Sequence, residues 1–127
     1  KAFSILMSDI NLKHYLSSVT DYFSPKVINE VNDVYIKVVK IKGQKIPWHI
    51  HENDDELFFV IEGSLVMEIE NQEKIIMNKG DLYVVKKGLN HRVSSEKECH
   101  IMLIENKSTE HTGNVKSEIT KSIQQQL

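Results

Sequence analysis

Three histidines and one glutamate stand where they could hold a metal ion. His49 and His51 flank Ile50. In extended chain, residues two apart point to the same side, so two imidazoles aim at one volume while Ile50 faces away. Glu56 follows across a short polar turn, Glu52-Asn53-Asp54-Asp55, on the next strand. His91 comes from a separate strand, after a turn at Gly88. Three neutral imidazoles and one carboxylate form a mixed nitrogen and oxygen set. It suits a divalent Fe, Mn, Ni, Co or Zn ion and selects weakly among them. A lone His-X-His is common by chance, and paired histidines also occur as hydrogen-bonded core residues. The conjunction of the pair with Glu56, His91 and flanking glycines is what points to a metal.

The elements that must position these residues are mostly strands. Val34 to Ile41 is rich in β-branched residues, with Lys37 and Lys40 interspersed and Lys42 following. Strands are expected at Glu56–Ile61, Ser64–Glu70, Glu73–Met77, Asp81–Lys86, His91–Ser95 and Glu98–Glu105, with turns at Asn32-Asp33, Gly63 and Asn71-Gln72. With the strand-like stretch that opens at Val27-Ile28 and the extended His49–His51 segment, that makes eight or nine short strands at spacings of roughly ten residues, the pattern of a sandwich or barrel. Ahead of them, Ser8 to Val19 has apolar residues at helical spacing and Ser8 or Asp9 as a cap. The chain thus divides into an N-terminal helical segment (1–24), a barrel (25–106) and a polar C-terminal tail (107–127) whose end is either a frayed helix or disordered. On Glu56–Ile61, Phe58 and Val60 share the parity of Glu56 and are expected to line the pocket, with Met67 from the next strand. Leu57, Phe59 and Ile61 then face outward, and a stripe that apolar needs cover. The helix or a second subunit could supply it, so a homodimer is expected. Trp48 has the opposite parity to His49 and His51 and is expected to point away from the metal.

The stretch from Gly43 to Gly63 reads Gly, five residues, His-Ile-His, four residues, Glu, six residues, Gly. It resembles the first motif of the cupin family, with every defining position filled. Gly80 to Ser95 resembles the second motif, with Gly80, Gly88 and His91 in register, but Lys86 stands where proline is usual and Ser95 where asparagine is usual. Neither departure removes a ligand. The resemblance covers Val34 to Glu105 and implies an all-β fold, a double-stranded β-helix (jelly-roll) barrel preceded by the short helix. By the same resemblance, His49, His51, Glu56 and His91 would be the four metal ligands.

Composition bounds the rest. The chain has 127 residues, a size for one domain, and 40 % are hydrophobic, enough for one core. Net charge is −2 and the 16 basic residues are scattered, which argues against nucleic acid as the main partner. No apolar run approaches the roughly 20 residues that span a bilayer, and no charged-then-apolar leader opens the chain. Neither a membrane nor a nucleic acid is therefore expected as a partner; a small-molecule ligand or substrate is. Cys99 is the single cysteine, so burial rather than a disulfide must hold the fold, which suits the cytoplasm. The functional expectation is a small metalloenzyme of dioxygenase or isomerase type acting on a small organic molecule. The alternative is a non-catalytic, metal-dependent binder of a small ligand such as a sugar.

Overall fold

The structure, a computed structural model, describes residues 9–109, 113 and 119–127. Among them seven strands run in the order β1 (Lys26–Val31), β2 (Val34–Gly43), β3 (Glu56–Glu62), β4 (Ser64–Ile69), β5 (Ile75–Asn78), β6 (Leu82–Val85) and β7 (His91–Asn106). Helix α1 (Leu12–Ser17) precedes them and helix α2 (Ile123–Gln126) follows. No helix among the described residues is long and apolar enough to cross a membrane.

All pairings between strands are antiparallel. One sheet has the order β1-β2-β7-β3-β6, and β4 pairs both β5 and the first part of β7 in a second. The two expected strands at His91–Ser95 and Glu98–Glu105 are one 16-residue strand. Its His91–Ser94 part pairs β4, and its Cys99–Asn106 part pairs β2. The polar run Glu96-Lys97-Glu98 between them looks like a turn in sequence, but it is exposed strand where β7 passes from one sheet to the other. This shared strand rolls the sheets into the expected jelly-roll barrel.

Alternation along the strands builds the core. Val39 and Ile41 of β2, Phe58 and Val60 of β3, Leu65 and Met67 of β4, and Ile101 and Leu103 of β7 all point inward. Lys37 shares the parity of Val39 and Ile41, and it is fully buried rather than part of a polar face. The opposite face of β2 presents Ile36 and Val38, which pack against Leu16 of α1 together with Ile28, Ile61 and Met102. Burying that apolar stripe is what fixes a helix too short to hold itself.

Helix α1 is shorter than its periodicity suggests. Asn11, not Asp9, caps it, accepting a bond from the His14 amide at 2.9 Å; Ser8 lies outside the described residues. The tail ends in an ordered turn, where Ser122 and Gln125 satisfy each other's backbone groups in a capping box.

Candidate metal centre

The His49–His51 segment is not a regular strand. Pro47 lacks an amide hydrogen and prevents a continuous ladder there. A single bridge holds the segment instead: the His49 amide donates to the His91 carbonyl at 3.0 Å and the His91 amide donates back at 2.9 Å. The Gly88 amide donates to the His51 carbonyl at 2.8 Å. Extended chain still turns both imidazoles to one side. Glu56 enters as the first residue of β3 and His91 as the first of β7.

These four side chains converge. One potential ligand atom from each lies within 4.8 Å of all the others. The imidazole centroids of His49, His51 and His91 are 4.3 to 5.4 Å apart. All four residues are buried, at 1–6 % exposure. Glu56 Oε1 lies 2.9 Å from His51 Nε2 and 3.7 Å from His91 Nε2.

Hydrogen bonding sets the tautomers for a cation. The Nδ1 atoms of His49 and His91 lie 2.8 and 2.9 Å from the carbonyls of Pro47 and Leu89. A carbonyl only accepts, so Nδ1 carries the proton and Nε2 is left with a bare lone pair. The remaining atoms of the cluster, His51 Nε2, His91 Nε2 and Glu56 Oε1, are buried without a hydrogen-bond partner. Lone pairs that face one another in a dry core cost free energy unless something positive sits between them. Neighbouring ligands on an ion with bonds of about 2.1 Å lie about 3 to 3.5 Å apart, close to the separations found here. The donor set, the tautomers and the orphaned atoms all fit a divalent metal.

The electrostatics agree. Burial, with help from His91, lowers the His49 pKa to about 4, so its ring is neutral and able to ligate at neutral pH. Burial alone would raise Glu56, but its neighbours, the Glu105 carboxyl first among them, hold it well below the usual carboxylate range. Glu105 is raised, first by burial and then by the charge on Glu56.

His49 and Glu56 also form one wall of a narrow cavity of about 30 Å³. The rest of its lining is apolar, including Phe23, Ile41, Phe58, Leu103 and Ile119. Phe58 therefore stands where its parity puts it, with its ring edge-on to His91 at 6.1 Å. Val60 and Met67 are fully buried in the core and do not border this cavity. Phe23, Pro25 and Ile119 do border it, and they come from outside the barrel strands. Phe23 adopts a left-handed φ of 58° just before Ser24-Pro25, and its side chain is buried in the core. The composition around Phe23 and Ile119 gave no signal of this.

The other singled-out residues lie elsewhere. The Arg92 guanidinium stacks on Trp48 at 4.8 Å. Lys86 is exposed and pairs with Asp55 at 3.5 Å. Cys99 is a packed thiol, pushed up to about 12 by burial. His100 bonds Glu98 at 2.6 Å and His14 is exposed. Apart from Gly113, residues 110–115 lie outside the described residues.

Comparison with known proteins agrees with this arrangement. The cupin-domain family model matches residues 37–105. The chain is 30 % identical over 100 residues to the uncharacterized protein YdbB of Bacillus subtilis, covering 79 % of this chain and 88 % of that one. It is 28 % identical over 88 residues to 3-hydroxyanthranilate 3,4-dioxygenase of Xenopus laevis, covering 65 % of this chain but 31 % of that enzyme. A crystal structure of a cupin-2 domain protein from Shewanella frigidimarina superposes with a TM-score of 0.73 at 39 % identity, covering 76 % of this chain and 93 % of the other. In its strand order, its ligand pattern and the span that the family model matches, this chain belongs to the cupin family.

Proposed function

We propose that the chain is a metal-dependent cupin enzyme acting on a small apolar or aromatic molecule, with dioxygenase-type chemistry favoured over isomerase-type. One observation carries this reading: a buried cluster of three imidazoles and one carboxylate opens on an apolar cavity. His49, His51, Glu56 and His91 would hold the ion, leaving the site a single net positive charge. A divalent ion held by four protein ligands keeps positions free for Lewis-acid chemistry or, with iron, for dioxygen activation.

The chain's own residues supply the surroundings. The Pro47 and Leu89 carbonyls fix the His49 and His91 tautomers. Phe58 and the aliphatic lining exclude water and offer van der Waals contact. A sugar would find few partners for its hydroxyls in that lining and would leave them unpaired, so the cavity speaks for an apolar substrate over a sugar-binding module. Similarity to a named dioxygenase supports the same choice. The buried single thiol fits a reducing compartment, and we place the protein in the cytoplasm.

Metal analysis of protein purified without added metal is the test. One equivalent of a divalent transition metal is expected, and none in His51→Ala. Oxygen uptake is then followed against catechols, thiols and diketones. A protein that takes up no metal on titration ends the proposal. A metal-loaded protein silent with every oxygen-dependent and isomerisable substrate leaves a binding role instead.

A further inference from the structure

A second buried polar chain lies behind the ligands: Lys37, Glu105 and Gln126. The Lys37 ammonium donates to Glu105 Oε2 at 2.7 Å and to Gln126 Oε1 at 2.5 Å. The two ionic side chains are 1 % and 0 % exposed. Gln126, on α2, in turn donates its amide to the Lys121 carbonyl at 2.9 Å. Such a pair is a poor source of stability, because desolvation offsets its attraction and apolar residues of equal volume often do as well. Its use is better sought in what it orients.

Glu105 sits directly opposite Glu56 across the β3–β7 ladder, and both side chains are turned inward and buried. Lys37 occupies one Glu105 oxygen. The other, Oε1, has no hydrogen-bond partner, and the Glu105 carboxyl lies against that of Glu56. We infer that Glu105 is a positioning residue: clamped by Lys37, which Gln126 holds in turn, it braces the Glu56 side chain so that Glu56 Oε1 stays turned toward His51 and His91. The inference rests on the metal reading above. It adds that metal affinity is set partly by residues that never touch the ion, and that α2 is fastened to the same chain.

The test is titration of metal-free protein with Co(II), reading affinity by calorimetry and ligand geometry by visible absorption. Glu105→Gln keeps the shape and an acceptor for Lys37, and its affinity should stay within about threefold of the parent. Lys37→Met/Glu105→Leu removes the pair as a unit. It should remain folded by circular dichroism, bind about 10- to 100-fold more weakly, as loss of an orienting partner does, and show an altered Co(II) spectrum. A folded double variant with unchanged affinity and spectrum overturns the inference. So does a Gln variant as weak as the double, or a double variant that cannot fold, since the pair would then hold the barrel rather than aim a ligand. His51→Ala separates the two readings. If it loses the metal while the double variant is unchanged, the metal reading stands and the positioning role alone fails. If the parent binds no metal, both fail.

Discussion

A metal-binding role proposed for His49 would come at a cost in stability. In the folded, metal-free protein, burial holds its pKa at about 4, against 6.5 for a free imidazole. Between those values the unfolded chain takes up a proton that the folded chain refuses. Stability is therefore full above about pH 6.5 and declines as pH falls toward 4, by about 3 kcal/mol in all. Urea unfolding of metal-free protein at several pH values from 7.5 to 4 should show this decline, and His49→Gln should remove it. A decline of the same size in that variant would assign it to other groups. At this scale most of the converging cluster was legible because a histidine pair, a carboxylate and their glycines fall on one pattern within Gly43–Gly63. Lys37 and Glu105 were not, although the signal was present: each shares strand parity with buried neighbours, Val39 and Leu103. A lysine in a strand is read by default as solvated, and only the carboxylate that β7 brings from 68 residues away reverses that.

Strand positions were legible from alternation, but their connection was not. The polar Glu96-Lys97-Glu98 run divides β7 in sequence because exposure at a bend and exposure at a turn look alike. Where β7 bends it also meets the β3–β4 turn, and this gives Gly63 a different duty from Gly43. At Gly63, with φ of 87°, a Cβ would lie 2.8 Å from the Glu98 carbonyl oxygen and 3.2 Å from Cys99 Cα. Gly43, at φ of 88°, has nothing within 4 Å of such a Cβ. Both glycines end the same motif, yet Gly43→Ala should cost only backbone strain, about 1–2 kcal/mol. Gly63→Ala adds displacement of the β7 backbone and should cost about 3 kcal/mol or more. Thermal melts of the two variants rank them. Equal losses would show that β7 gives way easily at its bend and does not constrain the turn.

At the scale of the whole molecule, one face is only partly covered by the described residues. On the outer side of β3, Ile61 and Met102 are met by α1, but Leu57 and Phe59 remain half-buried. Their ladder partners extend the patch: Val84 and Ile104 beside Leu57, and Leu82 beside Phe59. Leu82 is 60 % exposed. A contiguous apolar surface of this kind calls for a partner, and the prediction is a homodimer that buries it. Light scattering at micromolar concentration should give twice the 14.7 kDa chain mass, and Phe59→Lys should return the monomer. Strand alternation sharpens the expectation. Phe59 points to the opposite side of β3 from Glu56 and Phe58, so the monomeric variant should stay folded and keep one metal per chain. A parent protein that scatters as a monomer rules the dimer out. A Phe59→Lys variant that loses both dimer and metal would mean that the outer face supports the site, and that β3 depends on its partner to hold Glu56 in place.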